Sequence, residues 1–217
     1  MKTLKNNGLS IVFFVLFILS LIVQIGTGLK EHNTEIEEMN GEQVSLPQYL
    51  TSGHFLQATF ENWESEFLQM ALFVVLSISL YQKGSSESKD PDKDEEVDRK
   101  PNPNRKNTPW PVKQGGLVLA LYKNSLSIAL FVLFILSFVL HWLGSVKDYN
   151  EEQLLKNMPQ ETAAQYLTSS RLWFESFQNW QSEFLSVFAI VVLSVFLRQK
   201  GSPQSKPVDA PDSETGE

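Results

Sequence analysis

The sequence predicts an all-α membrane protein in which four transmembrane helices form two parallel tandem hairpin repeats, each with an outer amphipathic helical segment. Three observations support this prediction: apolar runs of membrane length, a gap-free internal repeat, and a one-sided distribution of lysine and arginine. The average composition hides these features, because 20% of the residues are charged and most of them lie between the apolar runs.

The first apolar run of each repeat is long enough to cross a bilayer. Residues 9–25 and 126–143 each contain only three polar side chains. Because a helix rises 1.5 Å per residue, each run approaches the roughly 30 Å thickness of the hydrocarbon core. We therefore expect membrane spans at about residues 9–28 and 125–144.

The second apolar runs, at residues 67–81 and 184–197, are shorter, and runs of this length also suit buried or re-entrant helices. Extending each run backward by one turn adds a tryptophan, which favours the headgroup level of the bilayer. We expect spans at about residues 64–82 and 181–198, with re-entrant segments as the alternative. The predicted interfacial aromatic residues are Trp63, Trp180 and Trp173.

An internal repeat relates two parts of the chain. An offset of 117 residues aligns residues 4–89 with residues 121–206, and 40 of the 86 aligned positions are identical. The repeat disfavours a cleaved signal peptide at the N-terminus, because the copy of that segment lies in mid-chain. The predicted organisation is a first hairpin at 1–84, a disordered charged linker at 85–115, a second hairpin at 116–201 and a disordered tail at 202–217.

The positions of lysine and arginine predict the orientation. If the spans alternate in direction, fourteen of these residues fall on one side, and four fall on the other, namely Lys30, Lys147, Lys156 and Arg171. The positive-inside rule then places both termini and the linker in the cytoplasm. Since each repeat crosses twice, the repeats are parallel about a pseudo-twofold axis along the membrane normal, which disfavours an inverted-repeat transporter.

The segments that precede the second spans are predicted to be amphipathic helices on the outer side. Thr51 or Ser52 is a candidate N-cap, and aromatic residues follow at helical spacing, with the same pattern 117 residues later. Glu66 and Glu183 are expected at the mouths of their spans, where a carboxylate is usually solvated or capping, and alternatively binds a cation. The candidate polar face comprises Asn62, Glu66, Gln69, Asn179, Glu183 and Ser186.

Residues that carry enzymatic or metal chemistry are sparse. The chain has no cysteine and three histidines, and the second repeat replaces His32 and His54 with Tyr149 and Arg171. The histidines show no metal-ligand spacing, and motifs of hydrolases, phosphate-binding loops and zinc proteases are absent from the sequence. We therefore expect no catalytic residue, no metal site, no cofactor and no nucleic-acid partner.

Five segments carry a resemblance to a known family: residues 52–55, 60–70, 82–89, 174–185 and 201–206. They include the motif Phe-x-Asn-Trp-x-Ser-Glu-Phe-Leu, which occurs in both repeats. Over nearly the whole chain, the sequence resembles an uncharacterised family of bacterial membrane proteins, classified only as a domain of unknown function. The resemblance implies a location in the bacterial cytoplasmic membrane and supplies no activity, cofactor or catalytic residue.

The sequence favours a non-enzymatic scaffold, envelope component or partner-binding protein in the lipid bilayer. The expected partner is a second copy of the chain or another membrane protein. One alternative is a small ion or solute pathway along the pseudo-twofold axis, with Glu66 and Glu183 facing each other across it. The least favoured alternative is a membrane enzyme whose polar residues cluster only in the folded bundle.

Overall fold

The chain is all-helical in the part that the structure describes. The structure is a computed structural model, and it describes residues 2–216, with the side chains of residues 5–216. The chain divides into two compact units: unit 1 comprises Met1–Glu61 and Phe138–Trp173, and unit 2 comprises Asn62–Ser137 and Phe174–Glu217. The helices are α1 Lys2–Glu38, α2 Leu46–Tyr49, α3 Gly53–Leu76, α4 Trp110–Gln114, α5 Gly116–Lys123, α6 Ser125–Leu155, α7 Ala163–Tyr166 and α8 Ser170–Phe196, with a 3-10 turn at Glu96–Asp98.

Three helices in the described chain are long and apolar enough to cross a membrane, at Lys5–Glu38, Ser125–Leu155 and Ser170–Phe196. The apolar side chains of α1 are largely exposed, and Phe13 and Phe14 are each 64% exposed. Such a continuous exposed apolar surface is suited to contact with lipid. The predictions of an all-helical fold and of apolar helices of membrane length are therefore confirmed.

The helix α3 differs from the span predicted at about residues 64–82. It ends at Leu76, and turns follow from Ser77. There the amides of Ile78 and Ser79 donate to the carbonyls of Val75 and Leu76, three residues back, at 3.3 and 3.2 Å, so the α-helical hydrogen-bond pattern ends. The apolar helical stretch from residue 67 to residue 76 rises only about 15 Å, half the thickness of the hydrocarbon core.

The helices α1 and α6 continue past the predicted spans. The helical backbone of α1 is interrupted at Asn7 (φ −128°, ψ 17°), and the helix then runs to Glu38, ten residues past the predicted end of the span at residue 28. Similarly, α6 runs to Leu155, past the predicted end of its span at about residue 144. The extension was not predicted because the acidic residues of these segments lack an apolar stripe.

Both helices end in the same C-terminal motif. The residues that reverse the chain are asparagines with positive φ, 59° for Asn40 and 54° for Asn157. The next amide then donates back into the last turn, from Gly41 to the Ile36 carbonyl and from Met158 to the Gln153 carbonyl, both at 2.8 Å. This is the Schellman arrangement, in which asparagine tolerates the left-handed conformation.

Further local features recur 117 residues apart. Capping boxes begin α2 and α7, formed by Ser45 with Gln48 and by Thr162 with Gln165. The amides of Asn33 and Asn150 each bridge the end of a long helix to the following loop, at Val44 and Glu161 respectively. The two segments therefore have the same local hydrogen-bonded structure.

Capping also begins the helices α3 and α8. The hydroxyl of Ser52 accepts a hydrogen bond from the amide of Phe55 at 3.1 Å, and that of Ser169 accepts one from Leu172 at 3.3 Å. Serine is thus the N-cap in both segments, one of the two residues predicted at each site. Each predicted amphipathic segment is continuous with the apolar helix that follows it.

Unit 1 contains a small packed region, here called the head and defined as residues 29–57 and 144–172. Its core includes the buried side chains of Val146, Tyr166 and Leu172. The helices α3 and α6 approach closely at Gly53, where an added Cβ would collide with the backbone of Asp148 and lie 2.8 Å from the Gly144 carbonyl oxygen. Glycine is therefore required at residue 53 for steric reasons.

Turns and side-chain contacts occupy the linker and tail in unit 2, where the sequence predicts disorder. The amide of Gly84 donates to the Thr215 hydroxyl at 2.8 Å, and Ser85 and Ser194 share a hydrogen bond of 2.8 Å. The ammonium group of Lys206, which is 1% exposed, donates to the carbonyls of Pro211, Asp212 and Glu214. The start of the linker and the C-terminal tail thus lie together.

Candidate functional site

The residues of the predicted polar face lie on α3 and α8 in unit 2. Several of them bond within their own helix: Asn179 donates to the Glu175 carbonyl at 3.1 Å, and Ser186 donates to the Glu183 carbonyl at 2.8 Å. Gln69 borders an apolar groove, and Asn62 is exposed. Glu66 is exposed, and Glu183 is half-buried.

The predicted interfacial tryptophans occupy different environments. The indole of Trp180 donates to the carboxylate of Glu64 at 2.8 Å, and Glu64 is fully buried. The indole of Trp173 donates to the Leu167 carbonyl at 2.9 Å. Trp63 is half-buried. Trp180 therefore has a polar role in unit 2, since it supplies a hydrogen bond to a carboxylate that burial would otherwise destabilise.

The head contains a polar cavity of about 860 Å³ that sequence reasoning did not identify. Its walls come from the polar ends of α1 and α6 and from the N-termini of α3 and α8. The acidic residues on the wall outnumber the basic ones, Lys147, Lys156 and Arg171. These acidic residues are Glu35, Glu38, Glu42, Asp148, Glu151 and Glu152.

Two histidines and a carboxylate meet on the wall of this cavity. One ligand atom each from His32, Glu35 and His54 lies within 4.8 Å of the others. His32 and Glu35 are three residues apart on α1 and therefore share a helix face. His54 is the second residue of α3, whose start is held by the Ser52 cap. The rings of His32 and His54 stack with centroids 4.9 Å apart.

Tyr49 supports the histidine pair from behind. Its hydroxyl lies 3.3 Å from His54 Nδ1, and its ring packs 5.7 Å from that of His32. The tyrosine is 1% exposed and occupies the space that a side chain at residue 28 would need. Burial, with smaller contributions from Glu31 and Asp148, raises the pKa of Tyr49 to about 12, so the hydroxyl keeps its proton at physiological pH.

The second segment places an arginine where the first has His54. The guanidinium of Arg171 donates to Asp148 at 3.0 Å and to Glu152 at 3.1 Å. In the first segment, the counterparts of these carboxylates are Glu31 and Glu35, 117 residues earlier. His54 Nε2 lies 3.7 Å from the Glu31 carboxylate. Asp148 and Glu152 are thus paired with a permanently charged arginine, whereas Glu31 and Glu35 lie beside histidine side chains.

The acidic residues of the two segments act on one another. Burial is the main cause that raises the pKa of Glu35, and the negative charges of Glu31, Asp148 and Glu152 raise it further against the opposing effect of His54. Arg171 is shared between Asp148 and Glu152. The four carboxylates therefore lie in one electrostatic environment that favours an additional cation.

The histidines escaped sequence analysis because they are 22 positions apart and have no cysteine or third histidine nearby. The available signal was the comparison of the two repeats. It retains the acidic positions at 31/148 and 35/152 but replaces the histidine at 54 with arginine. The third histidine, His141, is fully buried, and its Nε2 lies 3.9 Å from Glu61.

Comparison with known proteins identifies the family. The model of a family described as a domain of unknown function (DUF6766) matches residues 1–217, so the chain belongs to that family. The chain matches no curated protein and no solved structure.

Proposed function

We propose that this member of a family without an assigned function is a non-enzymatic, multi-pass protein of the bacterial cytoplasmic membrane that binds a partner protein through its head. The observation that carries this proposal is the polar cavity of about 860 Å³ in the head of a chain with apolar helices of membrane length. In the proposed topology the head is extracytoplasmic, and both termini and the linker are cytoplasmic.

Contacts within each unit support this topology. In unit 1, the segment that precedes α3 lies beside α6, as the hydrogen bond from the Lys147 ammonium group to the Thr51 carbonyl shows. In unit 2, the linker start and the tail lie together through the bond from Gly84 to Thr215. Two parallel hairpins would produce both groupings. The distribution of lysine and arginine, fourteen against four, favours the linker side as the cytoplasmic one.

The short apolar stretch of α3 is the least regular part of this topology. We propose that it crosses together with the turns that follow it, where the amides of Ile78, Ser79 and Leu80 are hydrogen-bonded to carbonyls three or four residues back. Backbone polar groups at membrane depth need such partners, because water is absent there. The chain would then cross four times, with one incomplete helix.

Thiol labelling of intact cells tests the topology, because the chain has no native cysteine. Gln43 and Gln160 are identical, exposed residues at equivalent positions of the head, and Asp94 and Asp209 are exposed residues of the linker and tail. Single cysteine substitutions at the two glutamines should react with an impermeant reagent. Those at the two aspartates should react only after lysis. Labelling of Asp94→Cys from outside would contradict the topology.

The excess of acidic residues on the cavity wall indicates the chemistry of the partner. Six acidic and three basic side chains line it, so a basic segment of another membrane or envelope protein is the complementary ligand. Salt should weaken such an interaction, since much of the cavity is open to solvent.

Site-specific photo-crosslinking tests the proposed binding surface. Glu38 lines the cavity, whereas the neighbouring Glu37 is exposed outside it, so the two provide a matched pair. A photoreactive residue at 38 should yield a defined adduct in intact membranes, and one at 37 should not. Glu151→Lys should reduce the adduct. Equal adducts from both positions, or none from residue 38, would exclude partner binding in the cavity.

A solute pathway is the second candidate function, motivated by the equivalent positions of Glu66 and Glu183, 117 residues apart in the two repeats. Two carboxylates that approach each other along one passage would bind a cation in transit. Glu66→Gln combined with Glu183→Gln should then abolish cation flux into proteoliposomes while leaving crosslinking from residue 38 unchanged. Equal flux with and without the substitutions would exclude the pathway.

A further inference from the structure

The residues His32, Glu35 and His54 have the composition of a transition-metal site. Two imidazoles and one carboxylate come from two helices, and one ligand atom of each lies within 4.8 Å of the others. Around a bound Zn²⁺ ion, nitrogen and oxygen ligands lie at about 2.0–2.2 Å from the metal. Glu35 is exposed, so its side chain is free to rotate toward the two histidines.

Charge distinguishes this cluster from its counterpart. In the second segment, Arg171 pairs with Asp148 and Glu152 and supplies a permanent positive charge. In the first segment the described salt bridge of Glu31 is to His54, a group that is charged only when protonated. A divalent cation between His54 and the carboxylates would supply the charge that arginine supplies in the copy.

The orientation of His54 suits metal binding. The Tyr49 hydroxyl lies 3.3 Å from Nδ1, and Glu31 lies 3.7 Å from Nε2. A hydrogen bond at one ring nitrogen selects the tautomer and leaves the other nitrogen for the metal. Nε2 is thus available as a ligand, and Glu31 stands beside it as a fourth donor.

We propose that His32, Glu35 and His54 bind a divalent transition-metal ion, with Zn²⁺ as the best-fitting ion and Glu31 completing the site. The donor set excludes Mg²⁺ and Ca²⁺, which prefer oxygen ligands. The site opens into the head cavity, where the metal neutralises part of the acidic wall. Metal binding does not depend on the partner proposed for that cavity, because all four donors belong to this chain.

Metal titration of the purified full-length protein in detergent tests the site. After treatment with EDTA and removal of the chelator, we expect calorimetry to detect one equivalent of Zn²⁺. Co²⁺ should give the visible spectrum of a nitrogen- and oxygen-ligated ion. His54→Arg places at residue 54 the arginine found at the equivalent position of the second segment. It should lower the affinity for Zn²⁺ by at least about 100-fold. An unchanged affinity in His54→Arg would overturn the proposal.

Matched variants separate loss of the metal from loss of the fold. His54→Arg keeps a cation beside Glu31, so we expect this variant to have the circular dichroism spectrum of the native protein in the absence of metal. Adding Zn²⁺ should raise the Tm of the native protein and leave the Tm of His54→Arg unchanged. His141→Gln, which copies Gln24, should bind Zn²⁺ like the native protein. If His141→Gln rather than His54→Arg abolishes binding, the ion lies elsewhere and the proposal fails.

The reverse exchange provides a gain-of-function test. Tyr149→His with Arg171→His places the first cluster's residues in the second segment and should raise the stoichiometry to two Zn²⁺ ions per chain.

The metal site and the partner function can fail separately. If the native protein binds no Zn²⁺, the proposed metal site is wrong, but crosslinking from residue 38 still tests partner binding. Loss of crosslinking with intact Zn²⁺ binding would instead exclude only the proposed partner function.

Discussion

In the first half of the head, Glu31 and Glu35 face two histidines, whereas in the second half their counterparts Asp148 and Glu152 are paired with Arg171. The backbone around both clusters is the same, down to the asparagine bridges and the N-caps. The difference teaches that one helical framework can place either an arginine or two histidines beside an equivalent pair of carboxylates.

A steric difference accompanies the electrostatic one. Gly53 lies against the backbone of α6, but its counterpart Ser170 is exposed. Gly144, which receives α3, corresponds to the exposed Thr27. The close helix contact made by Gly53 is therefore not matched at the equivalent positions, and the two segments are alike locally but differ in packing.

The largest effect on stability is expected when Gly53 and Ser170 are each replaced, in two separate variants, by the residue found at the equivalent position. Gly53→Ser introduces a Cβ that collides with the Asp148 backbone, and should destabilise the protein by about 3 kcal/mol. Ser170→Gly should cost no more than about 1 kcal/mol, because it changes only backbone entropy at an exposed position. Unfolding of both variants in detergent, followed by circular dichroism, measures the difference. Equal destabilisation would show that the helix contact is absent.

An intermediate effect on stability is expected from removing the basic side chain of each cluster. Arg171→Gln removes the cation beside Asp148 and leaves Glu152 paired with Lys156 alone, so it should cost about 1–3 kcal/mol, moderated by the partial exposure of the arginine. His54→Gln, compared at pH 8 in EDTA, should cost less than about 1 kcal/mol because the 3.7 Å contact of His54 is with Glu31, whose side chain is 65% exposed and screened by solvent. Equal losses in the two variants at pH 8 would refute the electrostatic difference.

The smallest difference is expected between the two asparagine bridges. Asn33→Ala and Asn150→Ala each remove two hydrogen bonds to the backbone of the following loop, and each should cost about 1–2 kcal/mol. Hydrogen exchange of the Val44 and Glu161 amides should accelerate in the matching variant only. Unequal costs would indicate that the halves of the head differ in local stability as well as in charge.

The apolar runs and the serine caps were predictable because both depend on short stretches of sequence. The end of α3 at Leu76 was not, since its apolar run continues to residue 81 and only the local backbone reveals the turn. The helical extension of α1 to Glu38 also exceeded the prediction, because packing of the head stabilises a stretch without an apolar stripe.

By itself, the sequence determined that this is an all-helical chain with membrane-length apolar segments and two closely related halves, because hydrophobicity and residue identity are local properties. Only the tertiary structure brought His32 to His54 and placed Gly53 against α6. Contacts of this kind depend on where separate helices end and pack. His32 and His54 are 22 positions apart in the sequence, so their contact depends on where the helices end and not on the residues adjacent to either histidine.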